Sequence, residues 1–309
     1  MTIVRSGFDE FLIPGAKSVF IDDYQELPSI YNQVLKVDTS GQAFEDDLVA
    51  TGLPQAVSKP EGEPIAFDRA RFRGKVRYIH SGFGLGYEIT QEAVEDDLYN
   101  ALNSQGAGNL ARSIRETEEI TAANVINNGF TTVLTYDGVS LFNASHTRSD
   151  GTTIANRPAS DVDLSVAALK ASQERFFALT TDRNIKIRMA PDRLIVADNN
   201  WFTAQEILNT RVVTGASSGG EISSIISLEA HNVVTDMGIV PIRWSYLTDQ
   251  DMWALLAPMS QLGLRFYWRR KPTPVSGFMA REQVFWFGIT ARFTAGATRW
   301  RGVDGSTGA

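Results

Sequence analysis

The stretch GLPQAVSKPEGEPIAFD, residues 52–68, admits neither a helix nor a central strand, because its prolines at 54, 60 and 64 remove backbone donors and fix φ. It reads as a long exposed excursion. The flanking segments differ in kind. VLKVDTS, from Val34, is strand-like, an acidic stretch follows, and the chain returns as RARFRGKVRYIH. In that return Phe72, Val76 and Tyr78 alternate imperfectly with Arg71, Arg73, Lys75 and Arg77, as in a strand wet on one face. Residues 40–88 are therefore expected to form a projecting two-stranded β-loop. A lone hairpin is marginal in water, so a long one implies a surface elsewhere on which it docks.

Other parts of the chain make the same demand. Residues 1–30 mix aromatics and acids around Pro14, Gly15 and Pro28, and without helical periodicity they read as an extended arm that needs a partner surface. Residues 1–100 hold nine basic and seventeen acidic side chains, whereas 241–309 hold nine and four. The formal net charge of -7 thus hides ends of opposite sign, which suits contact between copies better than tight nucleic-acid binding. At 309 residues the chain can bury a large core in one to three lobes. The absence of cysteine excludes a disulfide framework, a thiolate zinc site and a cysteine nucleophile. The start, MTIVRSGFDEFLIPG, lacks the pattern of a signal peptide, and nowhere do about 18 apolar residues run together, so a cytoplasmic protein without a membrane partner is expected.

Further along, ITQEAVEDDLYNAL reads as a short helix interrupted at Gly106 and Gly108, and NLARSIRETEEITAANVINNGF as a longer one. Leu110, Ile114, Thr121 and Val125 share a stripe of the latter, and Asn128-Gly129 is a fitting stop. A hairpin turn is expected at Asp137-Gly138, followed by a polar loop. A third helix is expected in DVDLSVAALKASQERFFAL, with Val166, Leu169, Phe176 and Leu179 on one face and Asp161 or Asp163 as its cap. IKIRMAPDRLIVAD is strand-like, NNWFTAQEILNT is a capped short helix, and the surface loop GASSGGE begins a second lobe. ISSIISLEAHNVVT and IVPIRWSYL read as strands, DQDMWALLAPMSQLG as mixed, and LRFYWRRKPTPVSGFMAREQ as carrying a basic turn. QVFWFGITARFTAGATRW is the clearest strand, with Phe285, Phe287, Ile289, Ala291 and Phe293 on one side at period two.

Candidate chemistry is thin. SGFGLGYEITQEAVEDD, residues 81–97, suggests a phosphate loop, but its spacing is G-x-G-x-G, and Glu88, Glu92, Glu95, Asp96 and Asp97 would repel a pyrophosphate. Gly82, Gly84 and Gly86 read instead as a hinge where the loop rejoins the body. Ser145-His146 raises a hydrolase reading, yet adjacent loop residues rarely form a nucleophile and base, and G-x-S-x-G is absent. His80, His146 and His231 lack ligand spacing, the EDD clusters lack the pattern of a calcium loop, and no metal or cofactor is expected. Trp201, Trp244, Trp253 and Trp268 read as core or interface, and Arg269, Arg270 and Lys271 as solvated cations. The assembly candidates are Arg69, Arg71, Arg73, Lys75 and Arg77 on the return strand, paired with Glu116, Glu118 and Glu119 of another copy.

The words FGLGYEITQEAVEDDLY, ETEEITAANVINNGF, LFNASHTRSDGTTIANRPASDVDLSVAALKASQERF and PDRLIVADNNWFTAQEIL, in that order over roughly residues 70–210, resemble the major capsid proteins of tailed bacteriophages with the Hong Kong 97 fold. The likeness is to the Mu-like head-subunit branch. It implies an α+β fold with an N-terminal arm and lead-in strand (1–39), an E-loop hairpin (40–88), a peripheral domain (89–199) with a spine helix (109–128), an axial domain (200–280) and a return strand (281–309). The function implied is a structural one. Pentamers and hexamers would close an icosahedral head around double-stranded DNA touched non-specifically, with E-loops lying on neighbours. Because the chain starts almost directly with the arm, a separate scaffolding protein is expected, along with a portal and a possible decoration protein. The resemblance implies a location in the virion after assembly in the host cytoplasm. An encapsulin-like nanocompartment shell and a Ser/His hydrolase are the alternatives. Lysine–asparagine cross-links occur in one branch of the family; Lys75 lies in the E-loop region, but no partner is assigned to it.

Overall fold

A computed structural model describes residues 8–96, 101–210, 212–214 and 229–308. In chain order, helix α1 (Phe8–Glu26) and the single turn α2 (Tyr31–Val34) precede strands β1 (Lys36–Thr39), β2 (Phe44–Ala50), β3 (Phe72–Ile79) and β4 (Ser81–Thr90). Helices α3 (Gln91–Asp96) and α4 (Ala101–Asn127) lead to the short strands β5 (His146–Thr147) and β6 (Thr153–Ile154), then to helix α5 (Val166–Ala178). Next come β7 (Arg193–Val196), α6 (Trp201–Asn209), β8 (Val212–Thr214), β9 (Glu229–His231), β10 (Val240–Arg243) and β11 (Trp253–Leu256). The chain ends with β12 (Leu264–Met279), β13 (Val284–Ala297) and β14 (Val303–Ser306).

Two compact units divide the chain: residues 1–46, 77–123 and 265–296 form one, and 47–76, 124–264 and 297–309 the other.

The first unit is built on a mixed sheet of order β1-β12-β13-β4, with β1 parallel to β12 and β13 antiparallel to β4. The period-two pattern of the last strand holds. Phe287, Ile289, Ala291 and Phe293 are buried on one face, where Phe266 and Trp268 of β12 pack against Phe293 at 5.2 and 5.0 Å between ring centres. Helix α4 brings Leu110, Ala111 and Ile114 into the core, as its stripe predicts. In the second unit a sheet of order β10-β7-β11-β14 carries the fully buried runs Leu194–Ala197 and Trp253–Ala257, the near-continuous apolar pattern of strands covered on both faces. Helix α5 is fixed to it by the Arg175 guanidinium, which donates twice to Asp304 at 2.6 Å, while the Ser172 hydroxyl donates to the same carboxylate.

Several expectations need correction. The segment read as an extended arm contains α1: Ala16, Phe20 and Tyr24 recur every fourth residue, Ala16 and Phe20 are buried, and that short stripe outweighs the Pro14-Gly15 breaker signal. Gly106 and Gly108 do not interrupt a helix but lie within α4, where a Cβ would strike the Tyr87 ring and the Asp23 carboxylate respectively. The cap of α5 is Ser165, whose hydroxyl accepts from the Ala168 amide at 3.2 Å; Asp161 is held instead by Arg157. Arg269, Arg270 and Lys271 do not form a turn but run within β12. Pro272 and Pro274 are tolerated there because β1 ends at Thr39, opposite Trp268, so beyond it one side of β12 has no strand among the described residues to receive amides. GASSGGE and most of ISSIISLEAHNVVT lie outside the described residues.

Candidate functional site

Strands β2 and β3 pair as a two-stranded sheet, and the ladder is closed by the Thr51 amide donating to the Arg71 carbonyl at 3.0 Å and the Arg71 amide donating to Thr51 Oγ1 at 3.1 Å. Beyond that closure the chain makes one turn at Pro60–Glu63, with Gly62 at φ +81°, and otherwise has no regular structure. Its apolar side chains face water: Leu53, Val57 and Ile65 are more than half exposed, and Phe67 is 94% exposed. A monomer gains nothing from holding these groups in solvent, which marks the excursion as a surface for a partner.

The basic residues of the return strand divide in their use. Arg77 donates twice to Asp46, both at 2.7 Å, and lies 4.0 Å over the Phe44 ring, so it stitches the hairpin together. Arg73 donates to the Thr147 carbonyl at 2.5 Å. Lys75 and the side chains of Arg69 and Arg71 are exposed.

The proposed acidic partners fare worse. Glu116 is exposed, but Glu118 and Glu119 are 0% and 2% exposed and are already occupied within the chain. Glu118 accepts from the Tyr24 hydroxyl and from Arg115, each at 2.8 Å. Glu119 accepts from the Ile30 and Tyr31 amides at 2.6 and 3.3 Å. The correction follows from helical geometry: residues 115, 118, 119 and 122 share the face of α4 covered by α1 and the turn at 30–31. Burial pushes the Glu118 carboxyl up to about 7, with Glu119 adding to the effect and Arg115 and Tyr24 opposing it. Burial, reinforced by Glu118, likewise raises the Tyr24 phenol. The two carboxylates clamp the N-terminal segment onto α4 and are not available to another copy. The i, i+3 pair Arg115–Glu118 and the Ala16/Phe20/Tyr24 spacing are the sequence signals through which this clamp, missed in the sequence reading, is detectable.

Gly82, Gly84 and Gly86 lie neither at a helix mouth nor in a loop. They sit within β4, paired with Arg292, Thr290 and Gly288 of β13, and none has a positive φ. The Ser145-His146 pair is not a nucleophile and base. Ser145 Oγ bonds to Asn143 at 3.2 Å, whereas His146 is fully buried, with Nδ1 2.8 Å from Asp137, Nε2 3.2 Å from Asn156 and its ring stacked 4.3 Å from Trp300. Hydrogen bonds from His146, Thr135 and the Val139 amide outweigh the opposing effect of burial and hold Asp137 below the usual carboxylate range. Among the described residues no cluster of three or more His, Asp or Glu is arranged to hold a metal, and no helix is long and apolar enough to cross a membrane. Trp244, Trp253 and Trp268 are buried, as a core role requires.

A family described as phage capsid protein matches residues 78–303. No curated protein matches the chain. Among solved structures, the capsid of cyanophage P-SCSP1u is similar at a TM-score of 0.56 and 12% identity, over 91% of this chain and 88% of that one. The capsid of a native GTA particle is similar at 0.56 and 13% identity, over 92% of both chains. A virus-like particle from Pyrococcus furiosus gives 0.51 at 9% identity, over 96% and 99%. All three share the α+β fold of the Hong Kong 97 type.

Proposed function

This chain belongs to the phage capsid protein family and is a structural shell protein, and from that premise we propose that its copies form pentamers and hexamers closing an icosahedral head around double-stranded DNA. The observation that carries this reading is the excursion at 52–70, which holds Leu53, Val57, Ile65 and Phe67 in solvent and so requires a neighbour to cover them. In the head, residues 1–39 serve as the arm and lead-in strand, 40–88 as the E-loop, and α4 as the spine of a peripheral domain. Part of 200–280 forms an axial domain near the ring centres. The words FGLGYEITQEAVEDDLY and PDRLIVADNNWFTAQEIL support assignment to the Mu-like branch. Assembly takes place in the host cytoplasm with a scaffolding protein and a portal.

Electron microscopy of the expressed chain, with and without its genomic neighbours, tests the reading. Closed shells containing DNA in the presence of those neighbours are expected. Small monomers under every condition would overturn the reading, and shells filled with a protein cargo would turn it into a nanocompartment.

A further inference from the structure

Successive strand residues face opposite sides of a sheet, so Gly82, Gly84 and Gly86 present one face of β4, continued on β13 by Arg292, Thr290 and Gly288. It is the face opposite the buried Phe287, Ile289, Ala291 and Phe293. All three glycines are exposed, and a Cβ on Gly82 or Gly84 would meet nothing nearer than 3.8 or 3.4 Å, from β13 itself. The result is a strip of bare backbone about 14 Å long, at about 3.4 Å per residue.

Its two ends differ in chemistry. Beside Gly82 stand Arg292 and the buried His80, whose Nδ1 has no hydrogen-bond partner among the described residues. Burial first, then Arg292, hold the imidazole below its ordinary range; Glu45 opposes this and Arg269 adds to it. At the other end an open depression of about 630 Å³ is lined by Gly86, Glu88, Met279 and the half-buried Trp286. The strip therefore offers an anion site and an apolar site about four strand residues apart.

The chain carries a segment of matching pattern. After the turn at Pro60–Glu63 the sequence runs Glu63, Pro64, Ile65, Ala66, Phe67, and Glu61, Glu63, Ile65 and Phe67 are all exposed. Pro64 favours an extended backbone on either side of it, so Glu63 and Phe67 lie about 14 Å apart. We propose that residues 63–67 of a second copy lie extended along the glycine strip, with Glu63 and the turn residue Glu61 toward Arg292 and Phe67 in the depression at Trp286. Only glycine lets a second backbone approach a sheet face this closely. The inference rests on the shell reading above and names the face that receives the loop.

Because the chain contains no cysteine, an engineered pair reports the contact cleanly. Ile65→Cys with Thr290→Cys, assembled and mildly oxidised, is expected to give disulfide-linked multimers up to rings, while either single variant gives at most trace dimers. A charge exchange provides an independent arm. Arg292→Glu alone, and Glu61→Arg with Glu63→Arg alone, are each expected to lower the shell yield at least about tenfold while subunit melting is unchanged. The three changes together are expected to restore most of that yield. Absence of cross-linked multimers from intact shells, or charge variants that assemble like the parent, would overturn the inference. Deleting residues 50–66 separates the two levels. If the deletion abolishes shells while the charge variants assemble normally, the loop docks elsewhere and this inference alone falls; if the deleted chain still closes shells, the role of the loop in the shell reading falls as well.

Discussion

The phenol of Tyr24 donates to Glu118 Oε1 at 2.8 Å, joining residues ninety-four positions apart and fastening the N-terminal helix to the long helix α4. The carboxylate it meets is fully buried, and burial has raised it from its ordinary 4.5 to about 7. In the folded chain Glu118 therefore keeps a proton that the unfolded chain releases above about pH 4.5. The sign follows: the folded state binds more protons across that window, so this group stabilises the subunit less and less as pH rises from about 4.5 through about 7. Urea unfolding at several pH values should show the decline, and Glu118→Gln should flatten it by an amount on the order of 1–3 kcal/mol. Identical slopes for parent and variant would remove Glu118 as the cause.

Gly74 of β3 has no room for a side chain, since a Cβ there would collide with the Tyr136 carbonyl. Gly74→Ala must shift one backbone against the other, at a cost of about 1–3 kcal/mol typical of overpacking. Thermal unfolding measures it; an unchanged melting temperature would mean that the two segments part easily.

Ser145 and His146 are neighbours with opposite expected sensitivity. Ser145→Ala removes an exposed hydroxyl bonded only locally to Asn143 and should alter stability by less than about 0.5 kcal/mol. His146→Ala deletes a buried ring, takes the imidazole away from Asp137 Oδ2 and opens space beside Trp300, for a loss of about 2–4 kcal/mol. Denaturant midpoints of the two variants compare them directly.

Gly84→Val separates folding from assembly. Valine suits a strand, and a Cβ at this position meets Ile289 O and Thr290 Cγ2 at 3.4 and 3.6 Å, ordinary contact distances. The subunit should therefore melt within about 1 kcal/mol of the parent. Its larger side chain projects from the bare face, so shell yield should fall sharply, read by sedimentation; a variant that assembles freely would show that the face is not used.

The acidic balance of the chain bears on the DNA content proposed for the shell. A container that held its DNA tightly would impede packaging and release, because every phosphate contact adds salt-dependent affinity. Purified subunits are expected to bind duplex DNA weakly at about 0.2 M salt, as measured by anisotropy.

What the sequence disclosed depended on how local its physics is. The alternation ending at Phe293, the stripe Leu110, Ile114 and Val125, and the proline-bounded excursion are each contained in a few turns or a single strand, and each is found where the pattern put it. Glu118 and Glu119 misled because a charged pair on a helix reads as a solvated face unless residues 24–31 are known to cover it. Gly106 and Gly108 misled for a related reason: glycine that makes room for Tyr87 and Asp23 is indistinguishable in sequence from glycine that ends a helix. The three glycines of β4 were noticed as a motif, but their meaning depended on a partner strand two hundred residues away. The packing around His146 and Trp300 had no local signal at all.

The sheet that joins β1 to β12 has a consequence for synthesis. Lys36 pairs with Arg265 and Ser81 with Phe293, so the ribosome has delivered nearly the whole chain before the sheet can close. At about 5–20 residues per second, the early strands wait on the order of ten seconds or more for their partners. A chain released prematurely, lacking β12 and β13, never builds the face with the glycine strip. On the docking proposed above, such truncated products would lack the face that receives a neighbour's loop, so the order of the strands would itself screen the parts a shell is made from.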